Sequence, residues 1–255
     1  MAPMDLLKRI KDIDATMKDN EVREILDNHP TRVPSDNPKL YRWRNWEPNT
    51  PYAPVYDIPI YVDSVLFDGL DTLLDYKTNC SNKSKVNQGL WTEGNIFSWG
   101  TDKVKTLGRK LYDSYSDFQN AMGYEIIPKD KLWVVGWGLA LMPGESLKHH
   151  AHYFHENTYL SCNIQISHSE TTTNYLLPYT GWYYGYWKVK NEPGKLCWFP
   201  SWTEHAVPKN HTKRVRYSLA FDMFTEHSIN FAKENSSKKA VANRTLDTAV
   251  TFADI

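Results

Sequence analysis

Histidines are concentrated in one short stretch of this sequence, and a further histidine follows much later. Four of the nine histidines lie within seven residues, from His149 to His155, and His205 follows about fifty residues later. Side chains two positions apart in a strand face the same side, so His150 and His152 are predicted to point together into the interior. Imidazole binds iron, manganese, zinc, nickel or copper. We therefore predict a metal centre of His150, His152 and His205, against the alternative of a solvent-exposed histidine run.

A second group of residues that could bind a ligand lies in the segment 214–221, where polar and apolar residues alternate. Val215 and Tyr217 fall on one face of a predicted strand, and Arg216 and Ser218 fall on the other. A guanidinium inside a barrel is costly unless it is paired, and it holds a carboxylate through two parallel hydrogen bonds. Arg216, helped by Ser218, is predicted to bind a ligand carboxylate. The alternative is an edge strand with a solvated polar face.

The candidate residues lie after Leu132, in the part of the chain where strand-like segments dominate. Strands are therefore expected to position these side chains. Turn residues such as Pro143, Gly144 and Gly194 separate the segments, and such spacing is typical of an antiparallel sandwich or barrel. The predicted strands span 132–142, 159–166, 175–177, 183–189, 196–199 and 215–224. A helix at 102–122, ended by Gly123, is predicted to cover the outer apolar face that includes Val215, Tyr217 and Leu219.

The remaining segments are assigned by periodicity and by turn residues. We predict helices within 4–28, an irregular Pro-rich arm at 29–54, a short strand at 59–62, a helix at 67–76 and a loop at 81–98. A polar tail with a short helix near 227–234 completes the chain. The predicted units are therefore 1–54 with the N-terminal helices and wrapped arm, 55–224 as the β domain, and 225–255 as the tail.

Composition narrows the class of protein. Thirty basic and thirty acidic residues cancel, so the overall charge argues against a nucleic-acid partner. No run of 18 apolar residues predicts a membrane span, and no export signal is apparent, so a cytoplasmic location is expected. Cys80, Cys162 and Cys197 are far apart and odd in number, which favours reduced core thiols. A homodimer is compatible with the sequence.

These residues carry a resemblance to the Fe(II)/2-oxoglutarate-dependent oxygenases, and especially to small oxygenases of bacteria and tailed phages that are distantly similar to prolyl hydroxylases. That group has a glycine, five residues and then His-x-His, matched here by Gly144, His150 and His152. Its Phe-Pro-Ser-Trp-x-x-His turn is matched at every fixed position by residues 199–205. Eleven residues past that histidine the group has an arginine, in an Arg-x-Ser pair that binds the distal carboxylate of 2-oxoglutarate. Arg216 and Ser218 stand there. The similarity covers roughly residues 55–224 and is strong over 144–224.

The histidine pair departs from the pattern of the superfamily, which usually has His-x-Asp or His-x-Glu. His152 stands where the carboxylate is expected. In a second alignment, residues 155–161 resemble the His-Pro-Asn-Ser-x-Leu-Ser segment of the small oxygenases, which makes His152 the first ligand and His155 the second. The spacing along a strand favours His150 and His152 as ligands, with His155 and Glu156 as the alternative ligands.

The resemblance implies a mainly β protein with a double-stranded β-helix, or jelly roll, of the cupin-like barrel type, with helices preceding it. It implies Fe(II), 2-oxoglutarate as cosubstrate, and hydroxylation of an unidentified substrate with succinate and CO2 as co-products. No catalytic side chain beyond the metal centre is expected. Gly144, His150, His152 and Glu156 also fit the first cupin motif, so a cupin-type three-histidine metalloenzyme is an alternative. A non-catalytic jelly-roll binding protein and an inactive relative with a structural role are the others.

Overall fold

Two antiparallel β-sheets form the centre of the computed structural model, which describes residues 31–45, 50–53, 55–83, 89–152, 157–167, 170–177, 186–235 and 246–255. The strands are β1 (Arg32–Val33), β2 (Leu40–Asn45), β3 (Tyr56–Ser64), β4 (Cys80–Lys83), β5 (Leu90–Thr92), β6 (Leu132–Leu141), β7 (Leu147–His150), β8 (Leu160–Gln165), β9 (Thr172–Leu176), β10 (Tyr186–Lys190), β11 (Lys195–Pro200), β12 (His205–Val207), β13 (Arg216–Thr225) and β14 (Val250–Thr251). The α-helices of the described residues are α1 (Tyr76–Asn79), α2 (Asp102–Met122) and α3 (Glu226–Asn235), and 3-10 turns span Ile96–Trp99 and Lys129–Lys131.

The path of the chain identifies the architecture. The larger sheet runs in the order β1-β2-β3-β11-β8-β13-β6-β5-β4, with β14 also paired to β6, and the smaller sheet runs β10-β9-β12-β7. Between β6 and β13 the chain crosses repeatedly from one sheet to the other. This alternation is that of a double-stranded β-helix, so the predicted jelly roll is confirmed. The strands predicted from 132 onward are found with shifts of a few residues at their ends.

Helix α2 packs on the outer face of the larger sheet, as predicted. Thr101 caps its N-terminus, because the Thr101 hydroxyl accepts a hydrogen bond from the backbone N of Val104 at 3.3 Å. Gly123 ends it with a left-handed φ of 71°. The apolar side of α2 and the outward side of β13, including Leu219, share one buried core, and Val215 and Tyr217 pack against its edge.

The contact between α2 and the sheet is a testable source of stability. Phe118 is 1% exposed, and its ring stacks on that of Tyr61 with 5.3 Å between centroids. Phe118→Ala is expected to lower the free energy of unfolding by about 3–5 kcal/mol, because it removes apolar contact and leaves a cavity. Chemical denaturation measures the change. Lys105→Ala, on the exposed side of the same helix, should change it by less than about 0.5 kcal/mol, and equal effects would contradict this packing.

Several predictions outside the strand-rich region are wrong. The arm at 29–54 is not irregular throughout, because β1 and β2 extend the larger sheet beside β3. The helix at 67–76 is replaced by turns, followed by the four residues of α1, and the loop at 81–98 contains β4 and β5. In each case the decisive contacts are distant in sequence. Edge pairing and burial of Leu70 and Leu73 in turns leave no periodic signal.

The ends of the chain are covered in part. The helices expected within 4–28 lie outside the described residues, and the domain boundaries at 54 and 224 stay predictions. The short helix near 227–234 is confirmed as α3, and β14 adds a strand to the segment expected to be a polar tail. Cys80, Cys162 and Cys197 are free and buried, as predicted. None of the described helices combines the length and the apolarity needed to cross a membrane.

Candidate metal centre and carboxylate site

Two strands of the smaller sheet and one turn bring three histidines together. His150 ends β7 and His205 begins β12, and the two residues are direct partners in the antiparallel pair. His152 follows two residues after β7, and its backbone N donates to the Ser201 carbonyl at 2.9 Å. Ligand atoms of the three histidines lie within 4.8 Å of one another. The sequence predicted this convergence. The alternative ligands His155 and Glu156 lie outside the described residues.

Hydrogen bonds fix which nitrogen of each ring faces the centre. His150 Nδ1 is 2.8 Å from the Lys148 carbonyl oxygen, and His205 Nδ1 is 3.1 Å from the Thr203 carbonyl oxygen. His152 Nδ1 contacts Asp222 Oδ1. Since all three acceptors are oxygens that carry no proton, each Nδ1 is the donor. The Nε2 lone pair of each ring is then free to bind a metal. Three such imidazoles are a donor set that suits iron.

Burial keeps two of these imidazoles neutral. Desolvation, reinforced by repulsion from His152, lowers the pKa of His150 to about 4. Desolvation also lowers the pKa of His205 well below its ordinary value, and the neighbouring imidazoles His150 and His152 add to the effect. Neutral imidazole is the form that binds metal. At neutral pH, protons therefore do not compete with a metal ion for these two nitrogens.

The lowered pKa values make the metal-free protein sensitive to acid. The imidazoles of His150 and His205 have an ordinary pKa of 6.5 when exposed. Below that pH the two imidazoles become protonated in the unfolded chain, whereas they stay neutral in the folded chain until the pH is lower. Stability therefore rises with pH in this range. From pH 7 to pH 5 the free energy of unfolding is expected to fall by roughly 4 kcal/mol for the two groups together. Urea denaturation of the metal-free protein at several pH values measures this slope.

The control for this pH dependence is the double variant His150→Gln, His205→Gln. Glutamine does not titrate in this range, so the fall in stability between pH 7 and pH 5 should be clearly shallower in this variant. A slope equal to that of the wild type would mean that other groups cause the acid sensitivity.

Arg216 is buried on the inward face of β13, as predicted. It is 3% exposed, and its Nε donates to Gln165 Oε1 at 3.0 Å. Within the described part of the chain, Arg216 Nη1 and Gln165 Nε2 have no hydrogen-bond partner, although both atoms are buried. Ser218 is 5% exposed and pairs directly with Gln165 across the sheet. Burial lowers the pKa of Arg216 to about 9. A buried cation with an unpaired donor beside a second unpaired donor is the site that an anionic ligand group would complete.

Between the histidines and Arg216, the inner wall borders open space. Asn163, Ala220 and Trp137 are cross-strand partners on β8, β13 and β6. All three are partly exposed, whereas Ser218 and Asp222, the neighbours of Ala220 on the same face of β13, are buried. The Trp137 ring lies 5.5 Å from that of His152, which places this row beside the candidate metal centre. The inner wall is therefore accessible to solvent along this row.

Two polar residues of the site were not among the predicted ones. Asp222 is 4% exposed, contacts His152 and accepts a hydrogen bond from Ser161 Oγ at 2.6 Å. Ser161 Oγ in turn lies 2.9 Å from Ser201 Oγ. Gln165 is the partner of Arg216 described above. Asp222 had a signal in the sequence, because it continues the alternation that places Arg216 and Ser218 on the inward face. Gln165 had none, since its role depends on a strand pair.

The sequence and the fold were compared with known proteins. Residues 136–222 match the family described as "Putative 2OG-Fe(II) oxygenase". No curated protein matches the sequence. This segment contains the three histidines, Arg216, Ser218 and Asp222.

Solved structures resemble the chain at low sequence identity. A prolyl hydroxylase from Trichoplax adhaerens, in complex with a peptide fragment of the hypoxia inducible factor oxygen degradation domain, is 12% identical. The similarity covers 70% of this chain and 87% of that chain, with a TM-score of 0.53. A Pseudomonas putida prolyl-4-hydroxylase is 14% identical, with 66% and 92% of the two chains covered and a TM-score of 0.48. The first likeness supports the fold.

The family match and the histidine cluster agree. The family indicates a 2OG-Fe(II) dependent oxygenase, with Fe(II) and 2-oxoglutarate as the implied cofactors and a further substrate. His150, His152 and His205 are a group that could form its iron site.

Proposed function

We propose that this 2OG-Fe(II) dependent oxygenase is a hydroxylase whose iron is held by His150, His152 and His205. In the proposed reaction, one atom of O2 enters a C–H bond of the substrate as a hydroxyl group, and the other enters 2-oxoglutarate, which loses CO2 and becomes succinate. The observation that carries the proposal is the buried, incompletely paired guanidinium of Arg216 on the inward face of β13, the face whose Asp222 contacts His152.

The cosubstrate fits this face by its chemistry. 2-Oxoglutarate has a keto acid at one end and a second carboxylate at the other. The Arg216 guanidinium, with Ser218 beside it, would hold the second carboxylate by charge-assisted hydrogen bonds. The partly exposed row of Asn163, Ala220 and Trp137 would line the middle of the bound cosubstrate. Fixing the far end sets the orientation of the reacting end, which lowers the entropic barrier to reaction.

Iron, when bound, would bind the keto acid and dioxygen, and it would carry out the redox chemistry. The chain supplies geometry and exclusion of water. Thr203, Lys148 and Asp222 hold the three imidazole rings through Nδ1. Buried apolar neighbours such as Phe199, with its ring centroid 4.8 Å from that of His205, keep this part of the barrel dry.

Anaerobic spectroscopy tests the proposal. Addition of Fe(II) and then 2-oxoglutarate to the metal-free protein is expected to produce a weak visible charge-transfer band at about 500 nm. Arg216→Ala should lose the band at moderate 2-oxoglutarate, whereas Arg214→Ala, two residues away and exposed, should keep it. Succinate formation after admission of O2, followed by mass spectrometry, then tests turnover. No band in the wild type would overturn the proposed cosubstrate.

The same experiment separates the two rival functions. A cupin-type three-histidine enzyme would bind metal without a response to 2-oxoglutarate, and Arg216→Ala would leave its activity unchanged. A non-catalytic jelly-roll binding protein would not retain Fe(II) at all. Neither rival requires a buried guanidinium whose Nη1 has no hydrogen-bond partner among the described residues, which is why we favour the hydroxylase.

A further inference from the structure

The three-histidine set provides no negative charge, and the structure has a carboxylate immediately behind it. Non-haem iron enzymes of this chemistry commonly hold Fe(II) with two histidines and one carboxylate. Here the three candidate protein ligands are imidazoles, which bring no negative charge of their own to Fe(II). The side chains of His152 and Asp222 are each 6% exposed, and they contact each other through Nδ1 and Oδ1.

Asp222 is held in place by the surrounding strands. β13 pairs with β8, so Asp222 lies opposite Ser161, whose hydroxyl donates to the same carboxylate oxygen that His152 contacts. Ser161 also contacts Ser201, which belongs to the turn that receives the backbone hydrogen bond of His152. The ring and its acceptor are therefore fixed by the same network.

We propose that Asp222 is a positioning residue that supplies, through His152, the negative charge that the ligand set lacks. Its carboxylate accepts the His152 Nδ1–H hydrogen bond, fixes the tautomer that presents Nε2, and makes the imidazole a stronger donor to the metal. The inference depends on the proposed function, since it assumes that His152 binds iron. Partners of this kind commonly change metal affinity by about 10–100-fold.

Metal binding, measured without turnover, tests the inference. Asp222→Asn keeps the shape and a carbonyl acceptor but removes the charge. We expect its affinity for Fe(II) or Co(II), measured by anaerobic titration, to fall by about 10–100-fold. We also expect the Fe(III)/Fe(II) midpoint potential to rise, because the lost charge stabilised the ferric state more than the ferrous state. Asp57→Asn, a carboxylate paired with Arg42 near the edge of the sheet, should change neither quantity.

A second variant moves the charge instead of removing it. In His152→Asp the carboxylate would be a direct ligand, and Asp222 would become a like-charged neighbour. Adding Asp222→Asn to His152→Asp should then leave metal affinity unchanged or raise it, the opposite of its effect in the wild type. If Asp222→Asn does not fold alone, this double variant decides the matter. A folded double variant that does not bind metal would overturn the inference.

The failure of this inference is distinguishable from that of the proposed function. If the wild type binds neither Fe(II) nor Co(II), the metal centre itself is refuted. If the wild type binds metal, and Asp222→Asn binds it equally well with an unchanged potential, the iron site stands and only the role of Asp222 is refuted. A merely structural role for Asp222 would lower stability without moving the potential of the variant that folds.

Discussion

Arg216→Met is expected to raise the thermal stability of the metal-free protein and to abolish tight binding of 2-oxoglutarate. In the free protein the guanidinium is buried, and desolvation by burial lowers its pKa to about 9. Replacement of a buried charge by an apolar side chain of similar volume is commonly neutral or stabilising, by about 1–4 kcal/mol. A gain of ~2 kcal/mol would raise the Tm by roughly 4–8 °C.

The loss of binding should be the larger effect. A dicarboxylate bound without Arg216 leaves one carboxylate unpaired in the barrel, which costs about 2–5 kcal/mol or ~30-fold or more in affinity. Calorimetric titration of 2-oxoglutarate into the anaerobic Fe(II) protein measures it, and thermal denaturation measures the gain in stability. Arg214→Met, at an exposed position, should change neither quantity. A destabilised Arg216→Met that still binds the cosubstrate would assign the guanidinium a purely structural role.

His205→Ala is expected to lower Fe(II) affinity and succinate formation by ~100-fold or more. This exceeds the effect of removing a residue that only hydrogen-bonds a metal ligand. The substitution leaves two imidazoles of the cluster and removes the ring whose centroid lies 4.4 Å from that of His150. His205 is 5% exposed, so His205→Gln, which fills most of the space, separates loss of a ligand from loss of packing.

The matched control for His205 is His211→Ala. His211 lies on the exposed loop between β12 and β13, and its loss should affect neither metal binding nor turnover. Anaerobic titration with Fe(II) and the succinate assay measure both variants. If His205→Ala retained full metal affinity, the centre would have to include residues outside the described part of the chain, such as His155 or Glu156.

The parts of the site that follow from local pattern were predictable, and those that follow from strand pairing were not. Alternation along one strand indicated that Arg216 and Ser218 share a face, and the spacing of His150 and His152 indicated a common direction. Asp222 obeys the same alternation, but its importance depends on the position of His152 in three dimensions. Gln165 became visible only through the pairing of β8 with β13.

In the fold, too, elements set by local pattern were predictable and elements set by strand pairing were not. Helix α2 carried its own signals, an apolar stripe and the Gly123 stop, and was predicted to the residue. Strand β2 was predicted to be part of an irregular arm, because its hydrogen bonds are satisfied only by pairing with β1 and β3. A six-residue strand rich in arginine and aromatic residues has little intrinsic preference that a sequence can reveal.

The crossing of the chain between the two sheets has a consequence for biosynthesis. β6 has its longest pairing with β13, and Leu141 pairs with Arg216, which the ribosome adds 75 residues later. At roughly 5–20 residues per second, β6 waits on the order of 4–15 s for this neighbour. During that interval its apolar edge is open to other nascent chains. Slower growth of the expression host at low temperature, or chaperone capacity at the ribosome, should therefore govern how much native protein is recovered.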